Sequence, residues 1–197
     1  MTLKAEILDR LHNHQIPIHV ATVKHESRCR IYRSAISPKE YNKDEILSYI
    51  NSLYQSNKYT AQGNLKCWQS SYFLHHQTNI FNNLIDILNH NINSCVELKH
   101  GYKLQVHELW AAVYSKGDYA TLHEHGKYCQ FSGVLYLQSE KGHPGITFED
   151  DYSLPCTENT AYMFDSNYKH SVAASEIDPL RIILGFNFYL TVPKGTQ

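Results

Sequence analysis

Gly117-Asp-Tyr-Ala-Thr-Leu-His123-Glu-His125-Gly126 lies in the middle of a half-chain that reads as strands, and its two histidines give that half a candidate site. In a strand, residues two apart project to one face and lie about 6.6 Å apart along it. Two imidazoles so placed can converge on one ion. The spacing alone is weak, because 13 histidines in 197 residues make about one His-x-His pair expected by chance. A second pair does occur, His12 and His14, in or just after a helical pattern where residues two apart do not share a face. We assign that pair to solvent. Taken by themselves, His123 and His125 stay open between metal ligands and polar strand residues.

Outward from the pair, Gln105 to Tyr114, Phe131 to Leu137, Ile146 to Phe148, Thr160 to Phe164 and Arg181 to Val192 are apolar, β-branched or aromatic runs separated by Gly, Pro, Asp and Asn. Short strands joined by turns predict an antiparallel sandwich or barrel, and a double-sheet jelly roll is the member of that class best suited to a central site. Upstream the period changes to that of helices. Leu3, Ile7, Leu8 and Leu11 follow Thr2 at helical spacing, and Ile16 to Val23 and Cys29 to Ile36 read as two strands. Asn42 with Glu45 resembles a capping box before a helix over 43–56, and Ile80, Phe81, Leu84, Ile85, Leu88 and Ile92 mark a second helix after Thr78, with Asn-rich positions opposite. Both stripes are read as core faces covering a sheet. The expectation is an α+β chain of one domain, 1–197. Its helical and mixed part, 1–100, packs on a jelly-roll (double-stranded β-helix) core at 101–197 that carries the site.

Composition bounds the partners. With 42% apolar residues, 19% charged and a net charge of −1, the chain is an ordinary globular protein with no global attraction to nucleic acid or anionic membrane. No window approaches a membrane span and the first residues lack the order of a signal peptide, so a cytoplasmic setting is expected. The five cysteines, 27 or more residues apart, suggest neither a disulfide scaffold nor a zinc ribbon and are read as reduced thiols.

Two further residues sharpen the site. His170 lies in Met163-Phe-Asp-Ser-Asn-Tyr-Lys-His170-Ser-Val172, and Arg181 heads the strongly apolar run Arg181-Ile-Ile-Leu-Gly-Phe-Asn187. A guanidinium entering a buried run needs a partner. A bound carboxylate would satisfy it bidentately; the alternative is a protein acid such as Glu149, Asp150 or Asp165.

A histidine pair, a third histidine some 45 residues later and an arginine about ten residues beyond it resemble the pattern of iron- and 2-oxoglutarate-dependent oxygenases. More narrowly, Trp110-Ala-Ala-Val-Tyr-Ser-Lys-Gly-Asp-Tyr119, His123-Glu-His125, Ser132-Gly-Val-Leu-Tyr-Leu137, His170-Ser-Val172 and Arg181 through Asn187 resemble a family of such oxygenases known largely from bacterial and phage genomes. Trp68-Gln-Ser70 ahead of an amphipathic helix fits it too. The resemblance covers roughly residues 65 to 190. It implies that His123 and His170 are iron ligands, with His125 where most of these enzymes carry Asp. It implies too that Arg181 holds the distal carboxylate of 2-oxoglutarate, with Tyr136 as a further co-substrate contact. The activity implied is an Fe(II)-dependent hydroxylation of a small molecule or a protein side chain, with 2-oxoglutarate decarboxylated to succinate.

The sequence departs from the pattern in three places. His125 replaces the carboxylate, giving a three-nitrogen set with one less negative charge than the usual two-histidine, one-carboxylate triad. Ile183 stands where many relatives have a hydroxyl residue, and Gly126 where the narrower family often has Pro. Glu124 is expected on the opposite face of the strand from the histidines.

Two other readings are carried. Gly117 followed by His123-x-His125 also resembles a first cupin motif, and some cupins bind iron through three histidines; the expected glutamate is missing, with Gln130 nearby, and Arg181 is the residue that discriminates. The non-enzyme reading is a jelly-roll binding module with a degenerate pocket for a small carboxylate or a sugar. Of the other histidines, His107 and His143 are read as structural or solvent-facing, and His75 and His76 as strand neighbours pointing to opposite faces. Cys129 and Tyr128 show no nucleophile-and-base pattern.

Overall fold

The computed structural model describes residues 20–22, 29–56, 63–99, 101–126 and 128–192. The expected N-terminal helix, the His12/His14 pair and most of the first expected strand lie outside them. In chain order the elements are β1 (Val20–Thr22), β2 (Ile31–Ala35), α1 (Lys43–Gln55), β3 (Leu65–Lys66), β4 (Trp68–Gln69), α2 (Asn82–Cys95), β5 (Lys103–Tyr114), β6 (Tyr119–His123) and β7 (Phe131–Gln138). The chain continues through β8 (Ile146–Phe148), β9 (Ser153–Leu154), β10 (Thr160–Asp165), β11 (His170–Val172) and β12 (Arg181–Thr191).

The central strands are apolar on both faces, and the alternation within them sorts the molecule into layers. On β12, Ile182, Leu184, Phe186 and Phe188 turn one way, into a core shared with the helices, whereas Arg181, Ile183, Gly185 and Asn187 turn the other way, into a cavity. On β5, Leu109, Ala111 and Val113 face the helices, and Glu108, Trp110 and Tyr114 face the cavity. Strand β7 divides likewise, Leu135 and Leu137 against Val134 and Tyr136. Period-two alternation with both sides apolar is what a sheet covered on both faces requires.

These strands form a seven-stranded sheet of order β1-β2-β10-β7-β12-β5-β4, and the opposing sheet has five strands in the order β3-β6-β11-β8-β9. Every pairing between these strands is antiparallel. The fold is a double-stranded β-helix with helices on the outer face of the larger sheet. Strands β1 to β4, all from the first hundred residues, extend both sheets.

Helix α2 does more than cover the sheet. Strand β4 pairs β5 only at Val113 and Ala112, which leaves the other end of β5 as an edge. There the Asn89 side chain accepts from the Val106 N–H at 2.7 Å, and Asn93 both accepts from the Leu104 N–H at 2.9 Å and donates to the Leu104 carbonyl at 2.7 Å. The helix thus caps a strand edge that would otherwise expose unpaired backbone. Asn91 is buried and donates to Ser34 Oγ at 2.9 Å. The asparagines expected opposite the apolar stripe are therefore partly a docking face.

Helix α1 begins where the sequence places it, but without the expected capping box. Asn42 adopts a left-handed conformation (φ 55°) and its side chain makes no cap bond. The tight Ser37 to Lys43 turn, closed by Lys43 N–H to Pro38 O, demands that conformation, which Asn tolerates better than most residues.

Candidate metal centre and cavity

The cavity between the sheets has a volume of about 310 Å³ and collects His123, His125, His170, Arg181 and Tyr136, every residue singled out from the sequence for metal or co-substrate. Strands β6 and β11 place His123 directly across from His170 in the ladder, and a register irregularity between His170 and Val172 lies beside them. Bulges of this kind re-aim side chains next to functional sites.

The third imidazole arrives differently from the expectation. Strand β6 ends at His123, so His125 is not two residues along the same strand; it sits in the following loop. The loop is tied down by His125 N–H to Ser166 O at 3.0 Å and by Gly126, whose φ of 80° lets the chain turn away without Cβ strain. Glu124 is consequently not turned to the far face: it is exposed and contributes to the rim of the same cavity.

One ring nitrogen from each histidine lies within 4.8 Å of the other two, and no other such group of ligand atoms occurs among the described residues. His123 Nδ1 is 2.7 Å from Thr121 O and His170 Nδ1 is 2.9 Å from Tyr168 O. Since a carbonyl only accepts, each Nδ1 carries the proton and each Nε2 offers its lone pair inward, the arrangement of metal-binding imidazoles. His125 Nε2 and His170 Nε2 are 3.3 Å apart, close to the separation of about 3.0–3.3 Å for adjacent nitrogens bound at about 2.1 Å. Burial lowers the pKa of all three: it carries His125 down to about 3 with help from His123, and His170 well below its usual value with help from both neighbours. At neutral pH the three are uncharged donors, so a cation meets little competition from protons.

Arg181 is 1% exposed. Its Nη1 donates to the Pro144 carbonyl, and its guanidinium carbon lies 3.9 Å from the centre of the Tyr114 ring, its cross-strand partner. Nε and Nη2 are buried with no hydrogen-bond partner, the nearby Cys156 thiol being a weak acceptor. The protein acids considered as partners are elsewhere: Asp165 pairs with Arg30 at 2.6 Å, Asp150 accepts from the Tyr168 hydroxyl at 2.6 Å, and Glu149 is exposed. A buried guanidinium with a two-nitrogen edge left open has the geometry to accept a carboxylate bidentately. His143 supports it indirectly, accepting from Glu140 N–H and donating to Pro179 O, which fixes the turn that presents Pro144.

Tyr136 is fully enclosed near Arg181, and burial raises its phenol pKa, so it stands as a neutral hydroxyl in the cavity. Tyr114, Trp110, Glu108 and Asn187 also line the cavity, and the sequence reading gives none of them a site role. The signal was available: Glu108, Trp110 and Tyr114 stand at even spacing along β5, with Ala112 between the last two, on the face opposite Leu109, Ala111 and Val113. Gly185 makes room for Trp110, since a Cβ there would lie 2.4 Å from its ring. His107 is exposed on β5, as expected, and His75 and His76 lie in a short 3₁₀ turn rather than a strand, their rings 4.2 Å apart.

No protein-family model and no curated protein matches the sequence. Solved structures do match. A viral collagen prolyl hydroxylase from Paramecium Bursaria Chlorella virus-1, in complex with 2-oxoglutarate, superimposes with a TM-score of 0.57 at 14% identity, over 86% of this chain and 95% of that one. The chain shares its fold. A Trichoplax adhaerens prolyl hydroxylase in complex with a hypoxia inducible factor peptide fragment gives 0.60 at 11% identity, over 95% and 89% of the two chains. HygX from Streptomyces hygroscopicus, with nickel, 2-oxoglutarate and hygromycin B bound, gives 0.58 at 11% identity, over 85% and 83%. No helix among the described residues is long and apolar enough to cross a membrane.

Proposed function

We propose that this chain is an Fe(II)- and 2-oxoglutarate-dependent oxygenase, with residues 1–197 acting as one domain. The observation that carries the reading is the pairing, within one cavity, of three convergent imidazoles with a buried guanidinium whose Nε and Nη2 lack partners. Three neutral nitrogen donors suit a divalent iron, and the open edge of Arg181 suits a dicarboxylate's far end.

In this reading His123, His170 and His125 hold the metal, the first two fixed in tautomer by the Thr121 and Tyr168 carbonyls. Arg181, braced by Pro144 and Tyr114, takes the distal carboxylate of the keto acid, and Tyr136 offers it a hydroxyl. Val134, Phe164 and Ile183 wall the space between and exclude water. Ile183, in the position that often bears a hydroxyl, leaves Arg181 and Tyr136 to supply the polar contacts. Iron and 2-oxoglutarate together supply oxidation of an unactivated C–H bond by dioxygen, with the keto acid leaving as succinate and carbon dioxide. His125 in place of a carboxylate leaves the site one negative charge short of the usual two-histidine, one-carboxylate triad.

The cupin-type reading gives Arg181 no partner, and Gln130, where that reading wants a glutamate, is exposed and accepts from Leu190 N–H at 2.6 Å. The substrate is a small molecule or a protein side chain, since similar folds hold either a peptide fragment or hygromycin B. A cytoplasmic setting fits the reduced state read for the five cysteines. The test is conversion of 2-oxoglutarate to succinate by purified protein with Fe(II) and ascorbate. Iron-dependent succinate supports the proposal, and none at any iron concentration leaves the binding-module reading.

A further inference from the structure

Glu108 is the one cavity residue whose charge the metal and keto acid do not use and whose position is built. Its Oε2 accepts from Asn187 Nδ2 at 2.6 Å, and Asn187 Oδ1 in turn accepts from Ser132 Oγ at 2.8 Å. Asn187 and Ser132 are both buried, and Tyr189, beside Glu108, adds its hydroxyl. Three residues from β7 and β12 thus hold one carboxylate of β5 in place, and among the described residues no Lys or Arg forms an ion pair with it.

Next to Glu108 on the same face is Trp110, packed against Gly185, with its ring 5.7 Å from His125 at 29° and 5.1 Å from Tyr72 at 65°. An oriented acid beside two aromatic rings is the combination that recognises an organic cation: the carboxylate takes its N–H groups and the rings take its charge. Glu124 at the rim adds a second negative charge. With the Arg181 charge matched by a keto acid's carboxylate, Glu108 and Glu124 are the remaining charged side chains lining the cavity.

We propose that Glu108, with Trp110 and Tyr72, forms a subsite for an ammonium or guanidinium group, so that the substrate of this site is cationic. The proposal rests on the oxygenase reading only for calling the occupant a substrate. Beside Trp110, which stacks on His125, such a group places the carbons next to its nitrogen near the metal ligands.

The test is calorimetric binding to the wild-type protein, metal-free and again with Ni(II) and 2-oxoglutarate, using butylguanidinium, its neutral isostere butylurea, and blocked Gly-Arg-Gly and Gly-citrulline-Gly tripeptides. The cations should bind at least tenfold more tightly than their neutral isosteres. Glu108→Gln, which keeps an acceptor for Asn187 and removes only the charge, should abolish that preference. Tighter binding of the arginine tripeptide assigns the cation to a protein side chain, and tighter binding of butylguanidinium to a small molecule. Equal binding of cation and isostere, no binding of either cation at 10 mM, or a preference that survives Glu108→Gln overturns the proposal. Should the variant fail to fold, the wild-type comparison still decides. Because binding is read without iron, a cation-selective cavity in a protein that never turns over 2-oxoglutarate would sink the oxygenase reading and leave this one standing.

Discussion

Replacing Arg181 with methionine should do two opposite things, stabilise the ligand-free protein and disable its keto-acid site. The guanidinium is 1% exposed, and two of its three nitrogens have no hydrogen-bond partner. Each buried orphan donor costs about 1–3 kcal/mol as its share of the desolvation, and more because the group is charged. Against this stand one charged hydrogen bond to Pro144, about 1.5–3 kcal/mol, and the Tyr114 ring contact, about 2 kcal/mol. Arg181→Met keeps most of the stem and removes the charge, for a net gain of about 1–3 kcal/mol. In a chain of 197 residues that raises the melting temperature by about 2–12 °C. In wild type, Ni(II) with 2-oxoglutarate at a hundred times its dissociation constant should add about 2.7 kcal/mol. In Arg181→Met the dissociation constant should rise by about 30-fold or more, the cost of leaving a carboxylate without its buried partner. Differential scanning fluorimetry with and without ligand reads both effects. A variant that melts well below wild type without ligand would show that Arg181 is satisfied within the protein, and the carboxylate-receptor argument would be refuted.

Other outcomes follow from the same geometry. His123→Ala and His170→Ala should each lower Ni(II) affinity by at least 100-fold in calorimetry, whereas Arg181→Met should leave the metal affinity within about threefold; wild-type metal content in either histidine variant would contradict the ligand assignment. Gly185→Ala, whose Cβ would stand 2.4 Å from the Trp110 ring, should cost about 1–3 kcal/mol and alter the near-ultraviolet circular dichroism of that tryptophan. Asn93→Ala, which strips both bonds from Leu104, should destabilise by about 1–3 kcal/mol in urea melts, and an unchanged midpoint would mean that the strand edge finds water instead.

The strands of the core were legible because their period is two and their flanks carry turn residues; Phe131 to Leu137 and Arg181 to Val192 fall within a residue of β7 and β12. The cluster of His123, His125, His170 and Arg181 was legible through the resemblance to iron- and 2-oxoglutarate-dependent oxygenases, which share that order of residues; the histidine spacing alone left it open. How His125 gets there was not, because the end of β6 depends on Ser166 and on the left-handed Gly126, which no local pattern announces. Glu108 and Asn187 escaped notice for a related reason. Each looks like an ordinary polar residue in its own strand, and only the pairing of β5 with β12 brings them together. The asparagines of α2 were read as a polar face because periodicity separates apolar from polar positions and says nothing of an unpaired strand edge nearby. Asn42 was read as a cap from its spacing to Glu45, whereas the turn before it fixes its backbone.

Anaerobic titration of metal-free protein with Fe(II) and then 2-oxoglutarate, followed by visible absorption, asks whether the three histidines and Arg181 form one working site. One equivalent of iron should bind, followed by a weak charge-transfer band of the chelated keto acid that saturates in wild type and is strongly weakened in Arg181→Met. Iron binding without any band would contradict the co-substrate site and favour a three-histidine dioxygenase of the cupin kind. Failure to bind iron at all would contradict the metal centre itself.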